Sequence, residues 1–295
     1  MATRIISAGV GLVIVFTVFA FHKTIVLPLA VALIIAIMLF ELLRVVKMEK
    51  NIPILIASEL CGISMPFIYN SYYIISSENG ENIRSINGQT SFIAFIFTLI
   101  PAFAIFITWL KNNNKITYDK IFFVLACMIL IPQSMTCLVR IERYSSSHGL
   151  LLLVLGLCGA WIADSGAYFA GVALGKHKLC PEISPKKTIE GFIGGILTTG
   201  IIFFAVVFVY EKFITKSPAN IRVSDYMIIS AIGMICAVIG TIGDLSASMV
   251  KRQTGIKDYG KIMPGHGGMM DRFDSVIFVV PTFYAFIAFS GIIDV

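Results

Sequence analysis

GDLSASMVKRQTGIKDYGKIMPGHGGMMDRFDS, residues Gly243 to Ser275, is a polar run with an apolar segment on each side. Nine of its side chains carry a full charge, in a chain that is 57% hydrophobic and only 14% charged. Long apolar segments separated by polar runs are typical of a polytopic membrane protein. The mean hydropathy of +0.89 excludes an ordinary soluble domain, because 295 residues with so few charges cannot cover a water-facing surface.

Apolar segments predict an all-α polytopic membrane protein with about nine transmembrane helices. The run from Ile5 to Leu43 is interrupted at His22 and Lys23, and as one helix its 39 residues would be about twice as long as the hydrocarbon core. It must therefore form two spans. The expected spans cover residues 5–21, 24–43, 52–69, 92–110, 121–139, 149–174, 191–210, 226–242 and 276–293. We expect a single membrane domain over 1–295, with N-terminal spans in 1–145 and catalytic spans in 149–295.

Basic residues are distributed unequally between the two sides of the predicted spans. With nine spans, 16 of the 23 Lys and Arg residues fall on the side of the N-terminus. The positive-inside rule then predicts a cytoplasmic N-terminus and an outside C-terminus, with the 243–275 run and the 175–190 loop both in the cytoplasm. The net charge of +6 fits anionic lipids or an anionic substrate, and nothing in the pattern indicates nucleic acid. The six cysteines form no CxxC pair, so we interpret them as core residues.

Aspartates in the 243–275 run are the main candidates for chemistry. If a helix continues from the eighth span, Asp244, Ser248 and Lys251 lie on one face of it. Asp271 and Asp274 are three residues apart at the start of the ninth span, so both carboxylates can point to one place. Mg²⁺ prefers carboxylate oxygen and commonly uses one or two carboxylates with substrate phosphates. The alternatives are a helix cap at Asp244 and solvated acids at a helix start, and we favour metal ligands.

Two short motifs suggest sites for phosphate. Gly265–Gly268, with the sequence GHGG, would let backbone N–H groups approach an anion, and His266 is either an added donor or a hydrogen-bonded loop residue. Ser184–Gly191, with the sequence SPKKTIEG, combines hydroxyls, two lysines and a helix N-terminus. It indicates either a phosphate cradle or a basic flank that only fixes topology.

Asp164 lies well inside the sixth predicted span. A charge at the bilayer centre costs about 2.5–3.5 kcal/mol, so such a residue is functional or paired. Small residues recur at every fourth position of the same helix and permit close helix packing. They are Gly159, Ala163, Ala167, Gly171 and Gly175. We expect Asp164 to face protein or a wet cavity, and Glu59 of the third span to be structural or dimer-related.

The run from Ser248 to Asp274 resembles the signature of the phosphatidate cytidylyltransferases, also called CDP-diacylglycerol synthases. The matching positions are Ser248, Lys251, Arg252, Lys257, Asp258, Pro264, Gly265, His266, Gly267, Gly268, Asp271, Arg272 and Asp274. Two further elements are similar to the same family, W-x-x-D-x-x-A-Y-x-x-G over Trp161–Gly171 and S-P-K-K-T-x-E-G over Ser184–Gly191. The resemblance is dense between residues 155 and 280. The first 150 residues resemble the family only as a series of spans.

The resemblance implies that CTP and phosphatidate give CDP-diacylglycerol and pyrophosphate, with Mg²⁺ as cofactor and a second cation as an open alternative. It also implies a multi-pass enzyme of the bacterial plasma membrane, homodimeric, with its site facing the cytoplasm. The expected catalytic residues are Asp244, Lys251, Arg252, His266, Asp271, Arg272 and Asp274. The expected substrate-binding residues are Ser184, Lys186, Lys187, Thr188, Ser248, Lys257, Gly267 and Gly268. The expected metal ligands are Asp244, Asp271, Asp274 and Asp164.

Two other functions fit part of the sequence. A CTP-dependent lipid-alcohol kinase would also combine spans, acids and a nucleotide, but it would need a base for the alcohol proton and would release CDP. An ion-coupled transporter would explain Asp164 and Glu59 in mid-membrane. Transporters commonly have inverted repeats and broken helices at the midplane, and a transporter gives no reason for the dense motif on one face.

Overall fold

The computed structural model describes residues 2–79, 83–112, 114–213, 223–265 and 267–290. This part of the chain is helical apart from one two-stranded hairpin and the connecting loops. The helices are α1 (Ala2–Ala20), α2 (Val26–Val45), α3 (Ile52–Asn79), α4 (Ile83–Lys111), α5 (Tyr118–Tyr144), α6 (Gly149–Leu174), α7 (Ile189–Phe213), α8 (Val223–Thr254), α9 (Met270–Phe273) and α10 (Val276–Ser290). The strands are β1 (Lys178–Cys180) and β2 (Ser184–Thr188).

Within the described ranges, eight helices are long and apolar enough to cross a membrane, and α1 adds a shorter apolar helix over Gly9–Ala20. Apolar runs become helices in lipid because a helix satisfies its own backbone N–H and C=O groups. The prediction of an all-α polytopic membrane protein is confirmed, and α6 has the bounds expected from the sequence. The sidedness of the two termini stays a prediction. All six cysteines are free; Cys61, Cys137 and Cys236 are buried core residues as expected, whereas the other three are only partly buried.

The chain forms two compact units. The first contains Met1–Arg143 together with Thr254–Phe273, and the second contains Tyr144–Gln253 together with Asp274–Val295. Most of the polar run before α10 therefore belongs with the N-terminal helices rather than with α8, which precedes it. The expectation of a single membrane domain stays a prediction.

Helices α2 to α5 of the first unit share an apolar core. A glycine permits the close approach of α2 and α3, because a Cβ on Gly62 would lie 2.6 Å from Leu39 Cδ1 and 2.8 Å from Ile35 Cγ2. The core residues include Leu43, Ile54, Ala57, Cys61, Met65, Ala94, Ile105, Ile121, Val124 and Met128. This packing fixes α2, whose last turns contact the short helix α9.

Helices α6 and α7 form the most extensive packing of the second unit. A Cβ on Gly191 would lie 2.6 Å from the carbonyl oxygen of Ala167, and one on Gly195 would lie 2.7 Å from that of Ala163. The predicted small-residue stripe on α6 therefore does allow close packing, and the facing glycines of α7 complete it. The hairpin between α6 and α7 contacts both helices, and a Cβ on Gly175 would lie 2.9 Å from Thr188 Oγ1 of β2.

Candidate functional site

Asp244 lies within α8, which continues as a helix well beyond the apolar segment that ends at residue 242. Asp244, Ser248 and Lys251 therefore share one helical face, as the spacing predicts, and the helix-cap alternative for Asp244 is wrong. Asp244 Oδ2 forms an ion pair with Lys187 Nζ at 2.5 Å, and each side chain is 24% exposed. Partial burial strengthens such a pair because less water screens it.

Asp274 lies in the turn between α9 and α10 and is only 7% exposed. Gly243 lets this turn approach α8, because a Cβ there would lie 2.9 Å from the carbonyl oxygen of Asp274. One carboxylate oxygen of Asp274 accepts a hydrogen bond from the N–H of Ser275 at 2.8 Å. The same carboxylate interacts electrostatically with Asp244 and Asp164. The close approach at Gly243 thus brings the Asp274 turn against α8, and negative charge is concentrated there.

Asp164 of α6 belongs to the same group, because it interacts electrostatically with Lys187 and Asp244. Part of its side chain is exposed at the surface of the second unit, while surrounding residues partly desolvate its carboxylate. A carboxylate at membrane depth is tolerated where it has a charged partner, and Lys187 is such a partner. We call this group the aspartate–lysine cluster; it consists of Asp164, Lys187, Asp244, Lys251 and Asp274.

Lys187 reaches Asp244 because the loop between α6 and α7 folds into an antiparallel hairpin, which the sequence analysis did not predict. The paired residues are Lys178 with Thr188 and Cys180 with Ser184. Alternate residues of a strand point to opposite faces, so Lys187 turns towards Asp244 while Lys186 is exposed. Arg252 Nε donates a hydrogen bond to the carbonyl of Ile183 at 3.2 Å and joins α8 to the hairpin turn.

Two side chains at the start of α7 close the hairpin. Thr188 Oγ1 accepts a hydrogen bond from the N–H of Gly191 at 3.2 Å, which makes Thr188 the helix cap. The Glu190 carboxylate accepts hydrogen bonds from the N–H groups of Lys176 at 3.1 Å and His177 at 3.2 Å. It also pairs with His177 Nδ1 at 2.6 Å. Thr188, expected to bind substrate, therefore has a structural role in the hairpin.

A second group of predicted residues lies in the first unit, in residues 255–273, which we call the signature loop. Asp271 Oδ2 accepts hydrogen bonds from the N–H groups of Tyr259 at 2.8 Å and Gly268 at 3.0 Å. Gly267 has a φ of +86°, and a Cβ there would lie 3.0 Å from Asp271 Oδ2. The N–H of Gly268, expected to face a substrate anion, thus contacts an internal carboxylate that folds the loop onto itself.

Glu41 of α2 is a residue of this region that the sequence analysis missed. It is 3% exposed, and its two oxygens accept hydrogen bonds from the N–H groups of Met269 at 3.0 Å and Met270 at 2.8 Å. The available signal was a lone carboxylate in an otherwise apolar segment, three residues before Arg44. Such a residue indicates a buried polar partner, but the sequence does not show which segment provides it.

The remaining predicted residues are divided between the two units. Ser184, Ser248 and Lys251 are half-buried, whereas Lys186, Arg252, Lys257 and Arg272 are exposed. His266 lies outside the described residues.

Asp271 belongs to α9 and Asp274 to the turn after it, so the shared helical turn that their spacing assumed does not form. Asp244 and Asp271 belong to different compact units, and their sharing of one cation stays a prediction.

The aspartate–lysine cluster has donor chemistry that fits a hard divalent cation. Three carboxylates supply hard oxygen atoms, and two lysines balance only part of their charge. Among the described residues, no group of three or more His, Cys, Asp or Glu side chains is arranged to hold a metal ion alone. Mg²⁺ commonly keeps several waters and relies on substrate phosphates for further ligands, so a complete protein cage is not required.

Comparison with known proteins agrees with these motifs. A model of the Cytidylyltransferase family matches residues 2–290. The chain is 34% identical over 254 residues to the phosphatidate cytidylyltransferase of Bacillus subtilis, covering 86% of this chain and 85% of that protein. It is 32% identical over 219 residues to the phosphatidate cytidylyltransferase of Staphylococcus haemolyticus, covering 69% and 80%. The protein of the same name from Haemophilus influenzae is 40% identical over 154 residues, 51% of each chain.

Proposed function

Because this chain belongs to the cytidylyltransferase family, we propose that it transfers the cytidylyl group of CTP to phosphatidate, giving CDP-diacylglycerol and pyrophosphate. The observation that best supports this reaction is the ion pair between Lys187 and Asp244. It joins two separate polar motifs, the 184–191 element and the start of the 243–275 run, at the ends of long apolar helices. Charged groups beside apolar, membrane-spanning helices can contact both a water-soluble triphosphate and the phosphate of a lipid, as this reaction requires.

The chemistry requires charge stabilisation more than proton transfer. A phosphate oxygen of phosphatidate attacks the α-phosphorus of CTP, the bond to the β-phosphate oxygen breaks, and pyrophosphate leaves with its electron pair. The attacking phosphate is already largely anionic near pH 7, so a strong general base is not needed. Positioning and a preorganised positive field supply most of the rate enhancement in phosphoryl transfer. The residues that we propose for this field are Lys186, Lys187, Lys251, Arg252, Lys257 and Arg272.

The acidic residues are proposed to hold Mg²⁺, with or without a second cation. The proposed ligands are Asp244, Asp274, Asp164 and Asp271. Bound there, Mg²⁺ would neutralise the negative charge of the triphosphate and of the departing pyrophosphate. Without it, three neighbouring carboxylates would repel an anionic substrate, since Lys187 and Lys251 offset only part of their charge.

The proposed location is a bacterial plasma membrane, with the site on the cytoplasmic side and the protein as a homodimer. The excess of Lys and Arg in the loops that carry both motifs supports the cytoplasmic assignment, and CTP is available in that compartment. The relatives described above are bacterial. Light scattering of the detergent-purified protein would measure the oligomeric state, and a monomer would contradict the homodimer.

Purified protein in detergent, incubated with CTP, phosphatidate and Mg²⁺, tests the proposed function. We expect pyrophosphate release that depends on the lipid, and the loss of that release in Asp244→Asn with folding intact. Asp225→Asn is a matched control, because it makes the same change at the opposite end of α8. Lipid-dependent release of CDP would indicate the kinase instead. Near-wild-type turnover in Asp244→Asn would contradict the role of Asp244.

A further inference from the structure

Glu41 connects a helix outside the recognised motifs to the signature loop. We propose that Glu41 is a positioning residue that fixes the conformation of the signature loop and, through it, the orientation of Asp271. The structural part of this inference depends only on the contacts of Glu41. Its consequence for turnover rests on the cytidylyltransferase function proposed above.

The Glu41 carboxylate binds the start of α9. The first N–H groups of any helix have no partner within that helix, and Glu41 accepts those of Met269 and Met270 at 3.0 and 2.8 Å. Each of its two oxygens takes one of these bonds, and a hydrogen bond to a charged group is about twice as strong as a neutral one. At 3% exposure the carboxylate has little access to water, so it depends on these two bonds.

Two glycines shape the space that Glu41 occupies. A Cβ on Gly260 would overlap the Glu41 carboxylate. A Cβ on Gly268 would lie 2.5 Å from Glu41 Oε1 and 2.5 Å from the backbone nitrogen of Gly260. Both close approaches involve the same carboxylate, so the loop is folded around Glu41 and does not merely touch it.

Three consecutive N–H groups of the loop donate hydrogen bonds to two different carboxylates. Asp271 accepts the N–H of Gly268, whereas Glu41 accepts those of Met269 and Met270. The two carboxylates also repel each other electrostatically, and the row of N–H donors offsets that repulsion. Loss of the Glu41 contacts would therefore free the two amides next to Gly268 and release one constraint on Asp271.

Both oxygens of Glu41 are engaged by backbone donors, which argues for positioning rather than direct chemistry. Glu41→Gln keeps the shape but offers one acceptor, and its amide group would place a donor against a backbone donor. Glu41→Asp keeps the charge but is one methylene shorter, so it can keep part of the bonding. Glu142→Gln is the matched control, because Glu142 is equally buried at 3% in the same unit and pairs with His22 and Arg143 instead.

Hydrogen exchange of the full-length protein in detergent, read by mass spectrometry, tests the loop directly. In Glu41→Gln we expect exchange of the peptide covering 263–273 to be about tenfold to a hundredfold faster, as for the loss of one charge-assisted bond. Glu41→Asp should give a smaller increase and Glu142→Gln none in that peptide. Unchanged exchange in Glu41→Gln would overturn the inference. A uniform increase through α2 and α5 would also overturn it, because Glu41 would then serve the whole unit.

Turnover is the second measurement. Glu41→Gln should lower kcat by about tenfold or more, and Glu41→Asp should recover part of the loss. Faster loop exchange with wild-type kcat would show that the loop conformation does not matter to the reaction, and would overturn that half of the inference. If the wild-type protein has no cytidylyltransferase activity, the proposed function fails, while the exchange measurement still decides whether Glu41 holds the loop.

Discussion

Replacing Lys187 by glutamine tests the aspartate–lysine cluster most sharply. The change removes the positive charge that lies 2.5 Å from Asp244 Oδ2 and that also interacts with Asp164. It leaves a polar side chain of similar length on β2. Lys178→Gln is the matched control, since it makes the same charge change on β1 of the same hairpin, at an exposed position.

The expected effect on stability is modest. Exposed ion pairs contribute about 0.2–1 kcal/mol, whereas breaking a fully buried pair costs about 3–5 kcal/mol. With each partner 24% exposed, we expect about 1–2 kcal/mol for Lys187→Gln, which is a decrease of a few degrees in Tm. A double-mutant cycle with Asp244→Asn should give a coupling free energy of similar size.

The expected effect on turnover is much larger. Removing one preorganised donor that faces developing charge typically costs about 10²- to 10³-fold in kcat, so lipid-dependent pyrophosphate release should fall by about that factor in Lys187→Gln. A loss of 1–2 kcal/mol in stability cannot reproduce this fall at 25 °C, because a typical protein with that loss stays folded. Turnover within about threefold of the wild type, or equal to that of Lys178→Gln, would refute the catalytic role of Lys187.

Two further predictions concern packing and the hairpin. Gly191→Ala should lower the free energy of unfolding by about 1–3 kcal/mol through overpacking, because its methyl group would lie 2.6 Å from the carbonyl oxygen of Ala167. Thermal unfolding measures this loss. Gly88→Ala is the control and should not lower Tm, because Gly88 of α4 faces open space. An unchanged Tm in Gly191→Ala would contradict the close α6–α7 packing. Glu190→Gln should accelerate hydrogen exchange over 175–188 and raise KM for CTP several-fold, since its carboxylate accepts the N–H groups of Lys176 and His177. Unaltered exchange there would show that Glu190 does not hold the hairpin closed.

The positions and lengths of the apolar segments are enough to predict most of the helices. The sequence predicts α6 with the bounds 149–174 because its apolar run begins after a polar segment and ends at Gly175. It places the end of the eighth span at residue 242, but α8 continues to Thr254. Hydropathy marks where a helix leaves the apolar environment, whereas backbone hydrogen bonds allow the helix to continue in water. Hydropathy therefore locates the span and not the helix end.

The site is less predictable because its residues depend on contacts distant in sequence. Lys186 and Lys187 are adjacent lysines that the sequence does not distinguish. The pairing of β2 with β1 is what directs Lys187 to Asp244. Glu41 and Met270 are separated by 229 positions, and no local pattern connects them. Motif spacing thus identifies candidate residues for the chemistry, whereas the contacts that each of them makes can be read only from the fold.

The central claim is that the protein transfers the cytidylyl group of CTP to phosphatidate. Following the phosphorus atoms of CTP into the products tests this claim most directly. The purified protein is incubated with phosphatidate and with CTP labelled at either the α- or the γ-phosphorus, and the lipid is then extracted. We predict that the α-label enters the lipid and the γ-label appears in pyrophosphate, both only when phosphatidate is present. Transfer of the γ-label to lipid, or no label in lipid from folded protein, would contradict the account.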